Sequence, residues 1–192
     1  MCNRYRMTAS QAEVAARYGI ALPYPDDLTI PPPELFPKRP AYVIRDEAGQ
    51  RALDVMAWGF PSPAAGSAPV TNVRNLASPF WRSALATPTR RCLVPFTAFS
   101  EYGPGEKGKL PLFWFDVPSQ PIVSFAGIWR PTEAGPVFAL LTIEPNAIVA
   151  PVHPKAMPVL LHAEDEAAWL TAGWEEAQRL VAPFPTQLMR VE

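Results

Sequence analysis

Four side chains have the chemistry of a reaction centre: Cys2, Asn72, Glu101 and His153. With Met1 removed, Cys2 carries an α-amine and a thiol on adjacent carbons. An α-amine titrates near ~8, against roughly 10.4 for a lysine, so at neutral pH it is already a usable nucleophile toward a carbonyl. The thiol can then add to the imine and close a five-membered thiazolidine. The plain alternative is a cysteine on a frayed chain end. Asn72 and Arg74 sit one residue apart in a β-prone stretch, where a strand points both to one face; a solvated strand face has the same pattern. Glu101 follows an apolar, aromatic run. It is either a strand end turning to water or a partly buried acid, whose raised pKa suits proton transfer. His153 stands between Pro151 and Pro154, which restrict the backbone and predict a fixed loop. A rigidly held histidine can shuttle protons near neutral pH; a satisfied loop histidine is the other reading. His162, before a helix start, reads as structural. Cys92 reads as a small buried apolar residue.

The elements that must position these groups are short. Ser10 and Glu13 have capping-box spacing ahead of a helix through Tyr18, stopped by Gly19. Residues 23–40 form a proline-studded strap. Residues 41–45 and 51–58 read as strands joined by turn-forming residues 46–50. Residues 59–68 form a loop of small residues and proline, and 70–74 is β-prone. Ser78-Pro79 is a cap followed by a first-turn proline, opening a helix to about Ala86. Strands are predicted at 92–96, 98–102, 110–117, 122–129 and 137–143, and short helices at 163–171 and 174–181. The six tryptophans are assigned mainly to the core, with a surface position left open for Trp81, beside Arg82. Many strands with few crossover helices predict an α+β fold, one domain over residues 1–192, of strongly curved, mostly antiparallel, barrel-like sheet with a few short peripheral helices.

Composition narrows the function. With 48% hydrophobic and 18% charged residues the chain is globular rather than disordered. Its 25 prolines, spread along 192 residues, disfavour long helices. A net charge of −1 gives no global positive field, so a nucleic-acid partner must be held by a local patch. Arg4, Arg74, Arg82, Arg90 and Arg91, with Lys107 and Lys109, are the candidates. Two cysteines without paired spacing suggest neither a disulfide framework nor a metal site, and no cofactor is expected. No apolar run reaches the ~20 residues that span a bilayer, and no secretory leader is visible. The expectation is a cytoplasmic monomer.

Taken together, these residues carry a resemblance. Met1-Cys2-Asn3-Arg4-Tyr5, Trp58-Gly59, Asn72-Val73-Arg74, Arg91-Cys92-Leu93-Val94-Pro95, Phe99-Ser100-Glu101-Tyr102, Ala126-Gly127-Ile128-Trp129 and His153-Pro154-Lys155-Ala156-Met157-Pro158 occur in order over nearly the whole chain. The set resembles the SOS-response-associated peptidase family of abasic-site processing proteins. The sequence departs from the family pattern in Asn3, where a glycine is frequent, and around Leu76, where many members are acidic. The resemblance implies that Cys2 forms a thiazolidine with the ring-opened sugar of an abasic site in single-stranded DNA, with Asn72, Glu101 and His153 as its companions. It implies phosphate contacts for Arg4 and Arg74, and it brings peptidase-like autoprocessing and abasic-site lyase activity as further expectations. Two rival classes are a non-covalent reader of single-stranded or modified DNA and an N-terminal-nucleophile amidohydrolase.

Overall fold

The protein is described by a computed structural model over residues 2–21, 30–64, 66–106 and 108–192. Removal of Met1, the candidate Lys107 and the strap up to residue 29 lie outside the described residues. Two sheets make up the fold. The first has strands in the order β13 (Arg190–Val191), β8 (Leu112–Asp116), β7 (Ala98–Tyr102), β1 (Tyr5–Arg6) and β2 (Glu34–Leu35). The second runs β11 (Met157–Pro158), β10 (Val137–Ile143), β4 (Gln50–Trp58), β3 (Pro40–Glu47), β6 (Arg91–Phe96), β9 (Val123–Arg130) and β12 (Leu160–Leu161). Because β10 also pairs with β9, strands β10-β4-β3-β6-β9 curl into a closed ring. The two-residue β5 (Asn72–Val73) lies on β10. Among the described residues all pairings are antiparallel except those of β10 with β4 and β5. Among the described residues four short helices complete the α+β fold: α1 (Gln11–Tyr18), α2 (Pro79–Ala86), α3 (Glu166–Thr171) and α4 (Trp174–Ala177).

Local chemistry sets the boundaries. The capping box forms as predicted: Glu13 N donates to Ser10 Oγ at 3.3 Å and Ser10 N donates to Glu13 Oε2 at 2.7 Å. Gly19 closes α1 at φ 67°. The β3–β4 hairpin is tighter than the 46–50 link predicted from sequence. Its strands pair as far as Glu47 and Gln50, leaving only Ala48 and Gly49 in the turn, both at positive φ as a twist-matched two-residue turn requires. The predicted helix over 163–171 divides into a 3-10 turn, Ala163–Asp165, and α3. Trp81 lies inside, packed edge-on against Phe80 at 4.4 Å, and not at the surface. The periodicity of α2 puts it on the buried face with Leu85 while the neighbouring Arg82 points out.

One hydrophobic core joins both sheets, and Tyr5 is the residue that ties the N-terminal segment into it. β1 is only two residues long, but it is paired on both sides, with β2 and with β7. Tyr5 is fully buried, its ring 5.3 Å from Trp58 and 5.5 Å from Phe125, both edge-on. Its hydroxyl is buried with no hydrogen-bond partner among the described residues. A ring so placed anchors by area and packing, while its oxygen adds a desolvation cost. Tyr5→Phe is therefore expected to leave the urea midpoint unchanged or raised, whereas Tyr5→Ala should destabilise by about 3–5 kcal/mol. A clear loss of stability in Tyr5→Phe would show that the hydroxyl is satisfied after all.

Candidate active site

From Tyr5 the chain runs back to Cys2, which is 1% exposed. Its carbonyl accepts from Asn72 Nδ2 at 3.0 Å, and its thiol donates to the Arg4 carbonyl at 3.8 Å. That carbonyl also takes the Ser100 amide at 3.0 Å and the Ser100 hydroxyl at 3.3 Å, so β7 holds the segment between Cys2 and Tyr5 from the side. Burial, and then the charge of Glu101, push the Cys2 thiol well above the ordinary thiol range.

Asn72 is placed by the turn that follows β4. Gly59 leaves that strand at φ 125°, and a Cβ there would meet Pro69 Cβ at 2.8 Å, so only glycine allows the loop to close against the strand end. The Trp58 indole then donates to the Thr71 carbonyl at 3.1 Å, and Asn72 pairs with Leu140 of β10. Asn72 is 7% exposed. Its Nδ2 serves both the Cys2 carbonyl and, at 2.8 Å, Thr71 Oγ1, while its Oδ1 is buried without a partner among the described residues. Buried amide oxygens rarely go unpaired, and this one is an acceptor held ready for a donor.

Glu101 lies on β7 opposite Phe113 and is 4% exposed. Burial raises its carboxyl from 4.5 to about 7. His153 Nε2 stands 3.9 Å from Glu101 Oε2. Its Nδ1 lies 2.8 Å from the Ala156 carbonyl, which assigns the ring proton to Nδ1 and leaves Nε2 as the acceptor facing Glu101. Burial lowers the His153 pKa. The pair thus favours a neutral acid facing a neutral base, a state in which a proton can be passed either way. The loop under His153 is fixed: Asn146 Nδ2 donates to the Phe184 carbonyl at 2.7 Å, and His153 N donates to the Val149 carbonyl at 2.8 Å. A cavity of about 330 Å³ opens beside it, between Tyr102–Pro104 and the 151–155 loop.

The four predicted residues therefore come together, Cys2 with Asn72 by a hydrogen bond, Glu101 with His153 by proximity, and Cys2 with Glu101 electrostatically. Over residues 1–192 the sequence matches the family described as SOS response associated peptidase (SRAP). The chain belongs to the SRAP family. That membership carries an SOS-associated, peptidase-like function. The fold is shared with solved structures of a Bordetella bronchiseptica protein (22% identity, TM-score 0.81, covering 99% of this chain and 98% of that one) and a Bacteroides thetaiotaomicron protein (22%, 0.80, 99% and 90%). A phage-related protein of B. bronchiseptica is similar at 18% identity and TM-score 0.78, covering 100% of this chain and 93% of that one. Among curated proteins nothing matches the sequence.

Within this SRAP chain the predicted arginines are dispersed. Arg4 is bound to Glu34 through Nη2 at 2.9 Å and Nε at 3.1 Å. Exposed Arg74 donates to the Lys155 carbonyl, tying β5 to the His153 loop. Arg82 is exposed and bonds back to the Ala77 carbonyl at 3.2 Å, and Arg90 lies over the Trp129 ring at 4.7 Å. Neither touches the four central residues in any described contact. Arg91 is fully buried and corrects the expectation of a DNA contact: its guanidinium donates to the carbonyls of Leu85 and Ala172, fastening the ends of α2 and α3 to β6. Lys109 is exposed near Glu106. Thr71 and Ser100, which hold Asn72 and the Arg4 carbonyl, are not singled out by sequence; a small hydroxyl in a strand carries no distinctive signal. Among the described residues no cluster of three His, Cys, Asp or Glu could hold a metal ion, and no helix is long and apolar enough to cross a membrane.

The Glu101 environment predicts a pH dependence. Its folded pKa lies above the unfolded value, so its contribution to stability is full below about 4.5 and is lost as pH rises through about 7. Glu101→Gln removes the ionising group and should gain stability relative to wild type progressively between these limits. Urea midpoints of the two proteins measured across that range test this; a constant difference would show that Glu101 ionises as an ordinary surface carboxylate.

Proposed function

We propose that this SRAP protein captures abasic sites in single-stranded DNA as a covalent thiazolidine on Cys2, once Met1 is removed. The observation that carries this reading is the buried, partnerless Oδ1 of Asn72 beside the Cys2 backbone, in a site that also holds the neutral Glu101–His153 pair. The abasic sugar is mostly a closed hemiacetal. Glu101 gives its proton to the ring oxygen and takes the C1′ hydroxyl proton on its other oxygen as the C1′–O4′ bond breaks, releasing the aldehyde. The Cys2 amine adds to that carbon, and the carbinolamine loses water to give an imine. The thiol sulfur then adds to the imine carbon, and its proton goes to nitrogen, closing the ring. Asn72 Oδ1 accepts from the amine and afterwards from the ring N–H. His153 moves protons at the imine stage, where the same intermediate leads to reversal or to β-elimination with strand cleavage.

Positioning supplies much of the rate, since an oriented intramolecular thiol has an effective molarity of about 10⁵ M or more. A raised thiol pKa is compatible with this order of events, because the amine attacks first. The phosphates of the strand are assigned to Arg4 and Arg74, the two candidate arginines beside the site. Peptidase-like autoprocessing would use the same cysteine.

Denaturing mass spectrometry after incubation with an abasic oligonucleotide tests the proposal. An adduct equal to protein plus DNA minus one water is expected from wild type and should be lost in Cys2→Ala, with DNA binding largely kept. Binding without any adduct in wild type would make the protein a non-covalent reader. Asn72→Asp, which can present a charge instead of an amide to the Cys2 carbonyl, should slow adduct formation by about 10-fold or more, as loss of a buried hydrogen bond implies.

Glu101 and His153 separate in a paired time course of crosslink and cleaved strand. Glu101→Gln should slow crosslinking by about 10²- to 10⁴-fold, with the final yield recovering at long times. His153→Ala should depress strand cleavage and adduct reversal more than crosslink yield. Identical profiles for the two variants would show that their roles are wrongly divided.

A further inference from the structure

Four residues on from the nucleophile, Arg6 forms a device that the proposed chemistry leaves unused. Its guanidinium carbon lies over the indole of Trp114, 3.6 Å from the ring centroid. Arg4 points to the same side, 5.4 Å from Trp114 and 5.3 Å from Phe36. Both arginines converge on one carboxylate, Glu34, at 2.9 Å from Arg4 and 3.5 Å from Arg6. The next acid along this face, Asp116, is taken by Arg190. Two guanidiniums thus share one carboxylate, while Glu192, hydrogen-bonded to the Trp114 backbone, shares Arg190 with Asp116; the Arg6 side chain is 44% exposed and Phe36 is 40% exposed.

Arg4 and Arg6 are alternate residues of an extended segment, which separates them by about 6.8 Å. That is close to the step between successive phosphates of an extended single strand. A guanidinium stacked on an aromatic ring keeps its edge N–H groups free for a phosphate and its outer face free for a base.

We propose that Arg6, seated on Trp114, is a second phosphate site, and that it binds one arm of the single strand as it leaves Cys2 past Arg4 along β1. Glu34 acts as the counter-ion that the incoming phosphates displace, keeping the two arginines aligned before DNA arrives and weakening non-specific binding. The proposal rests on the reading that Cys2 engages an abasic strand, and it adds a direction: one arm of the strand lies on this sheet, and the other does not.

The test uses two abasic oligonucleotides, one with nucleotides only on the 5′ side of the lesion and one with nucleotides only on the 3′ side. Affinities are measured by fluorescence anisotropy over a range of salt concentrations. Arg6→Ala should weaken binding of one oligonucleotide by about threefold or more and reduce its log K against log[salt] slope by roughly 0.7, leaving the other unchanged. Arg6→Lys keeps the charge but not the guanidinium, and should restore the slope without restoring the full affinity. Glu34→Gln should strengthen binding of the same oligonucleotide and steepen its slope. Wild-type affinity for both oligonucleotides in Arg6→Ala, or equal losses for both, would overturn the subsite. Adduct formation by wild type is scored separately by mass spectrometry. Its absence overturns the chemistry assigned to Cys2, whereas an adduct with no arm-specific effect overturns only the Arg6 site.

Discussion

The site depends on the burial of Tyr5. A chain end is ordinarily the least ordered part of a domain, and a nucleophile carried there loses the benefit of orientation. Here an aromatic ring held between Trp58 and Phe125, with strand pairing on both sides of Tyr5 and Arg6, turns the end of the chain into a core element. Everything between Tyr5 and Cys2 is then fixed from the side: by Ser100 on the Arg4 carbonyl and by Asn72 on the Cys2 carbonyl. The ring of strands that supplies Trp58 and Phe125 also supplies the edge of β10 on which Asn72 lies. The same packing thus orders the nucleophile and its partner.

Burial then selects protonation states. Glu101 and His153 approach to 3.9 Å in a place where desolvation opposes charge on both, so the carboxyl rises and the imidazole falls. A solvated pair of the same residues would be carboxylate and, below neutral pH, imidazolium, with no proton ready on the acid. Asn72 contributes a fixed dipole in the same low-dielectric region, where an unpaired acceptor is costly unless a ligand or intermediate uses it. The electrostatic state of the centre is therefore a result of where the sheets curl.

Much of this was legible in the sequence, and the exceptions have physical causes. The Ser10–Glu13 cap, the strands around 41–58 and 91–102, and the curved α+β architecture follow from local chemistry and alternation. Cys2 stands out in the sequence by its position behind Met1, and Asn72, Glu101 and His153 as polar residues in apolar or proline-rich surroundings. Their convergence does not, because it is produced by ring closure between β9 and β10 and by a two-residue parallel pairing that has no periodicity to detect. The two-residue strands β1 and β2 escaped notice for the same reason. Arg91 misled because a guanidinium beside a second arginine looks solvated, while its actual partners are main-chain carbonyls, which are invisible in a sequence.

The depth of Cys2 has a consequence for survival in a damaged cell. Small oxidants and alkylating agents attack thiolates, and a thiol that is enclosed and held protonated offers them almost none. The amine is a poor target for peroxides, and it is the amine that selects the aldehyde. Sulfur is needed only after the imine exists, when it is delivered at short range rather than by collision. The same enclosure that makes the cysteine sluggish in bulk solution keeps it from being spent on the chemistry that accompanies DNA damage.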